Sequence, residues 1–196
     1  MRYRAEITAG ALKVFESRVV AGLLLRHVSA QEWRQAIYDD NLLLTRSPKT
    51  AQRLAVLIRG RLSRVEAPLW TLIRDGTMQE ATHACLAATV KASPLLGDFL
   101  DLVVRDAYRT FKETLSLTLW ADYLEDCRGR DPAMPQWNDS TISRLRSSVY
   151  TILAEAGYLD NTRTRTLQRV HLVAPVLAYL EQHDERYVLR CLQVAP

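Results

Sequence analysis

Residues 47–62 read SPKTAQRLAVLIRGRL, and this stretch predicts a long helix with a well-marked start. Ser47 can accept a hydrogen bond from a free backbone N–H at the helix start. Pro48 suits the first helical position, because a proline has no backbone N–H to leave unpaired there. Apolar residues recur at helical spacing and predict a helix to about Val65. They are Ala51, Leu54, Ile58, Leu62 and Val65.

Helical patterns continue on both sides of this stretch. Before it, apolar spacing predicts a helix over residues 7–27. Ser29 and Glu32 then match a capping box, which opens a short helix that ends near Asn41. After it, three or four helices are expected, at residues 69–74, 78–92, 94–104 and 105–124.

The C-terminal part predicts a helix followed by a hairpin. Glycine and proline make residues 127–136 a linker candidate. Asp139 can cap the next helix, and Gly157 is in the right place to end it in a left-handed conformation. Residues 158–172 then predict a β-hairpin with a basic tip. The chain closes with a helix at about residues 175–183 and an apolar tail at residues 187–194.

These elements predict a mainly α fold. We expect a helical bundle with a helix-turn-helix-like N-terminal part and a winged-helix-like C-terminal part that contains the short hairpin. The N-terminal pattern fits any small helical bundle equally well. Three regions follow: a basic helical region at 1–66, an acidic helical middle at 67–127 and the winged-helix-like region at 137–196.

The composition excludes several classes of protein. Hydrophobic residues make up 48% of the 196, which is enough for a core without disulfides or metals. The three cysteines and four histidines are scattered without zinc-type spacing, so neither a metal nor another cofactor is expected. The chain lacks a signal-peptide pattern and an apolar run of the ~20 residues that a spanning helix needs. We therefore expect a cytoplasmic protein that does not contact a membrane.

Catalytic motifs are also missing. The sequence has no glycine-rich nucleotide loop, no nucleophile elbow and no zinc-protease motif. Two groups of acids are interpreted as an exposed acidic face, because no nucleophile or base accompanies them. They are Asp98 with Asp101, and Asp122 with Glu125 and Asp126. We expect no enzyme activity and no small-molecule substrate.

The net charge of +4 is mild, so the position of the basic residues matters more than their excess. Between Asn41 and Val65 there are six basic residues and no acid, whereas solvated helix faces usually mix both signs. A one-signed face suits a polyanion, because each neutralised phosphate releases counterions. The alternative interpretation is that these basic residues form an ordinary solvent-exposed helix face that binds nothing. The predicted nucleic-acid contacts are Arg46, Lys49, Arg53, Arg61 and Arg64.

A second basic segment joins the helix from Asp139 to the hairpin. Short hydroxyls and arginines allow close approach to a sugar-phosphate backbone. On the helix, the residues expected to face outward are Ser140, Thr141, Ser143, Arg144, Ser147, Ser148 and Thr151, with Arg146 nearby. The predicted contacts are Ser143, Arg144, Arg146 and Ser147 on the helix, and Arg163, Arg165 and Arg169 on the hairpin. An ordinary basic hairpin is the alternative.

The N-terminal third resembles the BrxA family of the BREX bacteriophage-exclusion systems. The residues that carry the resemblance are AGLLL at 21–25, SAQEW at 29–33, DNLL at 40–43, SPKTA at 47–51 and RL at 61–62. The resemblance implies a small helical, cytoplasmic, bacterial member of a multi-protein phage-defence system, with other BREX proteins as partners. The family has been associated with double-stranded DNA, and it has also been likened to NusB-type proteins, which would imply RNA binding.

Three functions follow from these observations. The first is an accessory protein of a BREX system that binds double-stranded DNA mainly through phosphate contacts. The second is RNA binding of the NusB kind, for which exposed aromatics that stack on bases are expected. The third is an assembly subunit whose acidic middle docks a larger BREX component.

Overall fold

A computed structural model describes residues 2–7 and 11–194 and confirms a mainly helical protein. The α-helices are, in chain order, α1 Val14–Leu25, α2 Ala30–Arg34, α3 Pro48–Leu62, α4 Ala67–Asp75, α5 Met78–Ala92, α6 Pro94–Asp98, α7 Arg105–Arg109, α8 Leu119–Arg130, α9 Asp139–Glu155, α10 Ala174–Gln182 and α11 Arg186–Leu192. Two π-helical turns extend this set: Gln35–Asp39 continues α2, and Phe99–Val104 joins α6 to α7.

Helix α3 begins as the sequence predicts. The Ser47 hydroxyl accepts a hydrogen bond from the Thr50 backbone N–H at 3.3 Å, and Pro48 occupies the first helical position. The helix ends at Leu62, three residues before the predicted end at Val65. Burial of its apolar side confirms the predicted orientation of the helix.

The capping box before α2 is also confirmed. The Ser29 hydroxyl accepts from the Glu32 N–H at 3.2 Å, and the Glu32 carboxylate accepts from the Ser29 N–H at 2.7 Å. The helical segment ends at Asp39, and Asn41 then takes a left-handed conformation with φ 46°. Local side-chain chemistry therefore sets both ends of this short element.

Helix α5 lies at the centre of the bundle. Its residues 83–90 are all buried, as expected for a helix that is covered on every side. Helices α3, α4, α10 and α11 pack against it, and α1 packs against α4 and α3. A single hydrophobic core runs from Tyr3 to Val194.

Asp98, at the end of α6, is buried with only 4% of its surface exposed. Its Oδ2 accepts a hydrogen bond from the Tyr3 hydroxyl at 2.6 Å. Its Oδ1 accepts from Arg2 Nη2 at 2.8 Å and from the Tyr187 hydroxyl at 2.7 Å. The carboxylate thus joins the N-terminal segment, the middle of the chain and α11, and the predicted exposed acidic face is wrong at this residue.

An aromatic cluster holds α8 and α9 against the second π-helical turn. The Phe99 ring lies 5.5 Å from Trp120, 5.1 Å from Tyr123 and 6.0 Å from Tyr150, measured between centroids. The four rings are buried, and rings at such separations and tilts attract one another beyond simple burial. This cluster positions α9, which carries part of the second basic segment.

The single helix predicted over residues 105–124 is wrong. Helix α7 ends at Arg109, and α8 begins only at Leu119. The intervening chain turns away because Leu115 N–H donates to the Arg165 carbonyl at 3.0 Å, while the Glu113 carbonyl accepts from Leu167 N–H at 2.9 Å. A contact with residues about fifty positions away therefore competes with the helix, and helical periodicity cannot reveal it.

The hairpin is reduced to minimal pairing. In residues 2–7 and 11–194 there is no regular strand, only isolated antiparallel bridges. Leu159 pairs with Leu167, and Thr114 pairs with Thr166 from the other side. Gly157 ends α9 with φ +86°, as predicted. The predicted cap of α9 is one residue off, since the Asn138 side chain accepts from Thr141 N–H at 2.9 Å.

Three further expectations are corrected. The first helix begins at Val14 rather than residue 7, because Lys13 is left-handed with φ 58°; residues 8–10 of the prediction lie outside the described residues. The linker candidate at 127–136 contains the last turn of α8. It also contains buried Asp131, whose Oδ2 accepts from the backbone N–H of Arg2 and Tyr3. The predicted apolar tail forms α11.

We predict that Asp98→Asn lowers the free energy of unfolding by about 3 kcal/mol, because an amide nitrogen would face a donor where a carboxylate oxygen now accepts. Chemical denaturation of the full chain measures this change. Asp126→Asn, on the exposed side of α8, is the matched control and should change stability by less than about 0.5 kcal/mol. A similar small effect for both variants contradicts the role of Asp98.

Candidate nucleic-acid interface

The outer side of α9 carries the first part of the interface. Ser143, Arg144 and Ser147 are exposed, and Arg146 is half-buried. The Ser147 hydroxyl donates to the Ser143 carbonyl at 3.0 Å, so its proton is already used within the helix. Ser148 was expected to face outward, but it is 5% exposed and belongs to the packed side.

The loop 160–166 forms a rigid tip beside α9. The Asn161 side-chain oxygen accepts from the N–H groups of Arg163 at 2.8 Å and Thr164 at 2.9 Å. Asp160 accepts from Thr166 N–H at 2.8 Å, and its hydrogen bond from the Thr164 hydroxyl lowers the pKa of its carboxyl group. These bonds fix the loop backbone and leave Arg163 exposed on it.

Arg165 is the strained residue of the tip. Its φ of 57° lies in the left-handed region, which is uncommon for a long side chain. Its Nε is buried without a hydrogen-bond partner among the described residues. The left-handed conformation costs about 1–3 kcal/mol, and Arg165 Nη1 donates to the Thr162 carbonyl at 3.4 Å within the same loop.

Tyr150 is a buried residue of α9 whose hydroxyl is affected by cations of both the helix and the tip. Its hydroxyl donates to the Ser116 carbonyl at 2.6 Å. Burial raises the pKa of Tyr150 to about 12, and the nearby cations Arg165 and Arg146 oppose this rise. Both arginines, one from the tip and one from α9, therefore act electrostatically on the same hydroxyl group. We call this region, α9 with loop 160–166 and Arg169, the C-terminal basic surface.

Phe111 is a residue that sequence reasoning missed. It is 90% exposed and takes a left-handed conformation with φ 54° directly after α7. The N–H of Phe111 donates to the Tyr108 carbonyl at 3.1 Å, and the N–H of Lys112 donates to the Ala107 carbonyl at 2.9 Å. This is a Schellman helix end with phenylalanine at the position that glycine usually fills.

The Phe111 ring lines an open groove of about 370 Å³ together with Lys112 and Arg169. The groove therefore joins an exposed aromatic ring to the C-terminal basic surface. A helix had been predicted across Phe111, which concealed this exposure. The run of poor helix formers Thr110, Thr114, Ser116 and Thr118 was the available signal for the helix break.

The α3 basic surface consists of Arg46, Lys49, Arg53 and Arg64, which are all exposed. Lys49 and Arg53 line one shallow groove with Val56. Arg59 is used for packing instead, because its guanidinium lies 4.7 Å from the Trp33 ring centroid. The predicted one-sided arrangement at Lys49 and Arg53 agrees with this groove.

Arg61 does not belong to that surface. It is only 6% exposed, and its Nη1 donates to the Ala11 carbonyl at 3.0 Å. Burial lowers the pKa of Arg61 to about 10, so it stays charged at neutral pH but cannot reach a phosphate on the surface. Its spacing predicts this burial, since Ile58 at three residues and Leu54 at seven residues before it share its helix face.

The two basic surfaces are built on different parts of the molecule. Arg61 on α3 and Glu155 on α9 both reach the same short segment, binding the Ala11 carbonyl and the Leu12 N–H. Lys49 lies about 18 Å from Arg61 along its helix, and Arg144 about 17 Å from Glu155. The ends of α3 and α9 that meet at this segment are thus each roughly one or two dozen ångströms along the helix from the exposed basic residues Lys49 and Arg144.

The arginines of both surfaces share one electrostatic property. The ion pairs of the described chain are formed by other basic residues, such as Arg2, Arg105 and Arg190. Apart from buried Arg61, the predicted contact residues thus present charges that no carboxylate neutralises.

Within the described ranges, no group of three or more His, Cys, Asp or Glu could hold a metal, and no helix is long and apolar enough to cross a membrane.

Comparisons with known proteins agree over nearly the full length. The family model described as BrxA matches residues 1–184. "BREX protein BrxA" of Paramagnetospirillum magneticum is 49% identical over 194 residues, covering 99% of this chain and 98% of that protein. "BREX protein BrxA" of Escherichia coli O9:H4 (strain HS) is 35% identical, covering 96% and 88%. A crystal structure of an uncharacterized protein from Magnetospirillum magneticum matches with a TM-score of 0.93 and 47% identity, covering 100% of both chains.

We predict that Phe111→Gly is more stable than Phe111→Ala by about 1 kcal/mol, because alanine keeps the left-handed strain that glycine lacks. Thermal and chemical denaturation measure the difference. Removing an exposed ring should add little further change in either variant. If the alanine variant equals or exceeds the glycine variant in stability, the strain assigned to Phe111 is contradicted.

Proposed function

This chain belongs to the BrxA family, and on that premise we propose that it is a non-catalytic, DNA-binding accessory protein of a BREX phage-resistance system. We further propose that it acts in the cytoplasm with other BREX proteins as partners. The observation that carries the DNA-binding proposal is the C-terminal basic surface. There, exposed arginines of α9 and of the 160–169 segment, namely Arg144, Arg163 and Arg169, form no ion pair with a carboxylate of the described residues.

In this proposal the C-terminal part works in the manner of a winged helix. Helix α9 presents Ser143 and Arg144 to the duplex, and the 160–166 loop acts as the wing. The rigid loop backbone reduces the entropy lost when Arg163 binds a phosphate. Because phosphates are the same in every sequence, the binding is largely independent of sequence.

The α3 basic surface is the second contact region of the proposal. Lys49 and Arg53 share a groove, and their charges are also free of carboxylates. A duplex could contact one of these surfaces or both. Variants on the two surfaces therefore distinguish a single contact region from an extended one.

We predict that duplex DNA binds and that affinity falls steeply between 50 and 200 mM salt, by roughly tenfold or more for each two to three phosphates contacted. Arg144→Glu and Arg163→Glu should each weaken binding about tenfold and reduce the slope against log salt by about 1. Fluorescence anisotropy with a labelled duplex of mixed sequence measures both quantities.

Arg186→Glu is the matched control, because Arg186 is a highly exposed arginine on α11 and lies outside both surfaces. It should change affinity less than about twofold. Lys49→Glu and Arg53→Glu test the α3 surface in the same assay. Absence of duplex binding at the lowest salt overturns the proposal, and equal effects of Arg144→Glu and Arg186→Glu remove the C-terminal basic surface from it.

A second candidate function is binding of single-stranded RNA. The observation that favours it is Phe111, an exposed ring that lines a groove with Lys112 and Arg169. Bases of single strands stack on such rings, with about 1–3 kcal/mol lost per base on removal of the ring. Binding of a duplex through its phosphates does not need an exposed aromatic ring, because its bases stay stacked on one another.

We predict that single-stranded RNA displaces a labelled duplex at lower concentrations than unlabelled duplex does only if this second function holds. In that case Phe111→Leu, which keeps the apolar bulk but removes the aromatic face, should weaken RNA binding about tenfold. Under the DNA proposal, the same variant should change duplex affinity by less than about threefold. Competition titrations of the unchanged chain and of Phe111→Leu with both nucleic acids separate these outcomes.

A further inference from the structure

A cavity of about 260 Å³ lies between α3, the end of α5 and the N-terminal segment. Most of its surface is apolar, with Ile7, Val56 and Leu57 among the lining residues. Its size is slightly below the range of about 300–1,000 Å³ that is usual for drug-sized ligands. The cavity therefore suits a small molecule with an apolar body.

Two buried polar groups line this cavity without a partner. Arg61 is 6% exposed and Ser93 is 1% exposed. Among the described residues, neither Arg61 Nη2 nor Ser93 Oγ has a hydrogen-bond partner. Buried polar side chains nearly always have partners, because leaving a donor unpaired costs about 1–3 kcal/mol and more for a charged group. Two such donors on one cavity indicate a group that accepts from both.

The charge around the cavity favours an anion. Arg61 forms no ion pair in the described chain, since the Glu155 carboxylate nearby accepts from Leu12 N–H instead. Arg64 adds a second cation to the lining, and Glu6 adds one acid. These charges suit a ligand with one negative charge better than a phosphate monoester with two. A dianion would be repelled by Glu6, and only one buried guanidinium, that of Arg61, would attract it.

We propose that this cavity binds a small monocarboxylate with a short apolar body, whose carboxylate accepts hydrogen bonds from Arg61 Nη2 and Ser93 Oγ. The apolar body contacts Val56 and Leu57, and Arg64 adds electrostatic attraction. The same guanidinium keeps its Nη1 on the Ala11 carbonyl, so the ligand uses only the donor that the fold leaves unpaired. The cavity shares Arg64 with the α3 basic surface and has no lining residue in the C-terminal basic surface.

Isothermal titration calorimetry of the full chain with sodium hexanoate tests the proposal. We expect one saturable site with a dissociation constant of roughly 1 mM or lower, weaker binding of acetate and none of 1-hexanol. Hexanol has the apolar body without the charge, and acetate has the charge without the body. Equal binding of hexanol and hexanoate, binding of inorganic phosphate in preference to hexanoate, or no binding of hexanoate overturns the proposal.

Ser93→Ala gives the decisive variant, because the hydroxyl has no partner to lose in the free protein. It should fold with unchanged or higher thermal stability and weaken hexanoate binding about tenfold. Arg61→Met should abolish binding. If Arg61→Met does not fold, Ser93→Ala still tests the proposal. Ser63→Ala, at the exposed end of α3, is the matched control and should bind as the unchanged chain does. Wild-type affinity in Ser93→Ala contradicts the assignment.

Discussion

The buried carboxylate of Asp98 is the interaction on which the rest of the structure depends. Its two oxygens accept from Arg2 and Tyr3 of the N-terminal segment and from Tyr187 of α11, so the carboxylate joins these two segments to the middle of the chain. A buried carboxylate is costly unless its lone pairs are satisfied, so the native state requires all three segments to be in place together. The adjacent Gly97 supports this arrangement, because a Cβ there would lie 2.5 Å from the Tyr187 hydroxyl oxygen. The N-terminal segment and α11 are thereby fixed against the middle of the bundle.

Two of the left-handed residues of the described chain lie on segments beside the C-terminal basic surface. Phe111 and Arg165 are both left-handed, and they lie on two segments that pair with each other through Leu115 and Leu167. The pairing compensates for conformations that neither residue prefers, since each segment holds the other in position. A stability-driven sequence would place glycine or asparagine at such positions. The pairing of the two segments therefore stabilises a phenylalanine and an arginine in a conformation that glycine adopts more easily.

Much of the fold could be predicted from the sequence because its signals are local. Ser29, the Ser47–Pro48 pair and Gly157 each act within a few residues, and each marks the helix end that the structure has. The failures have a different physical origin. The break after Arg109 depends on pairing with a segment near Arg165, and the burial of Asp98 depends on donors more than eighty residues away. Periodicity carries no information about such distant partners.

For the basic residues, too, the sequence shows where the charges are but not how each one is surrounded. Arg61 and Arg53 are equivalent in a count of charges, yet one is buried in the core and the other lies on the surface. Helix geometry separates them, because Arg61 shares the face of Ile58 whereas Arg53 shares the face of Lys49. Desolvation then determines their chemistry: an exposed arginine can exchange water for phosphate at little cost, but a buried one needs a fixed acceptor. The basic residues of α3 therefore fall into two groups. Buried Arg61 is held by the fold, and only the exposed residues are suited to contact with a polyanion.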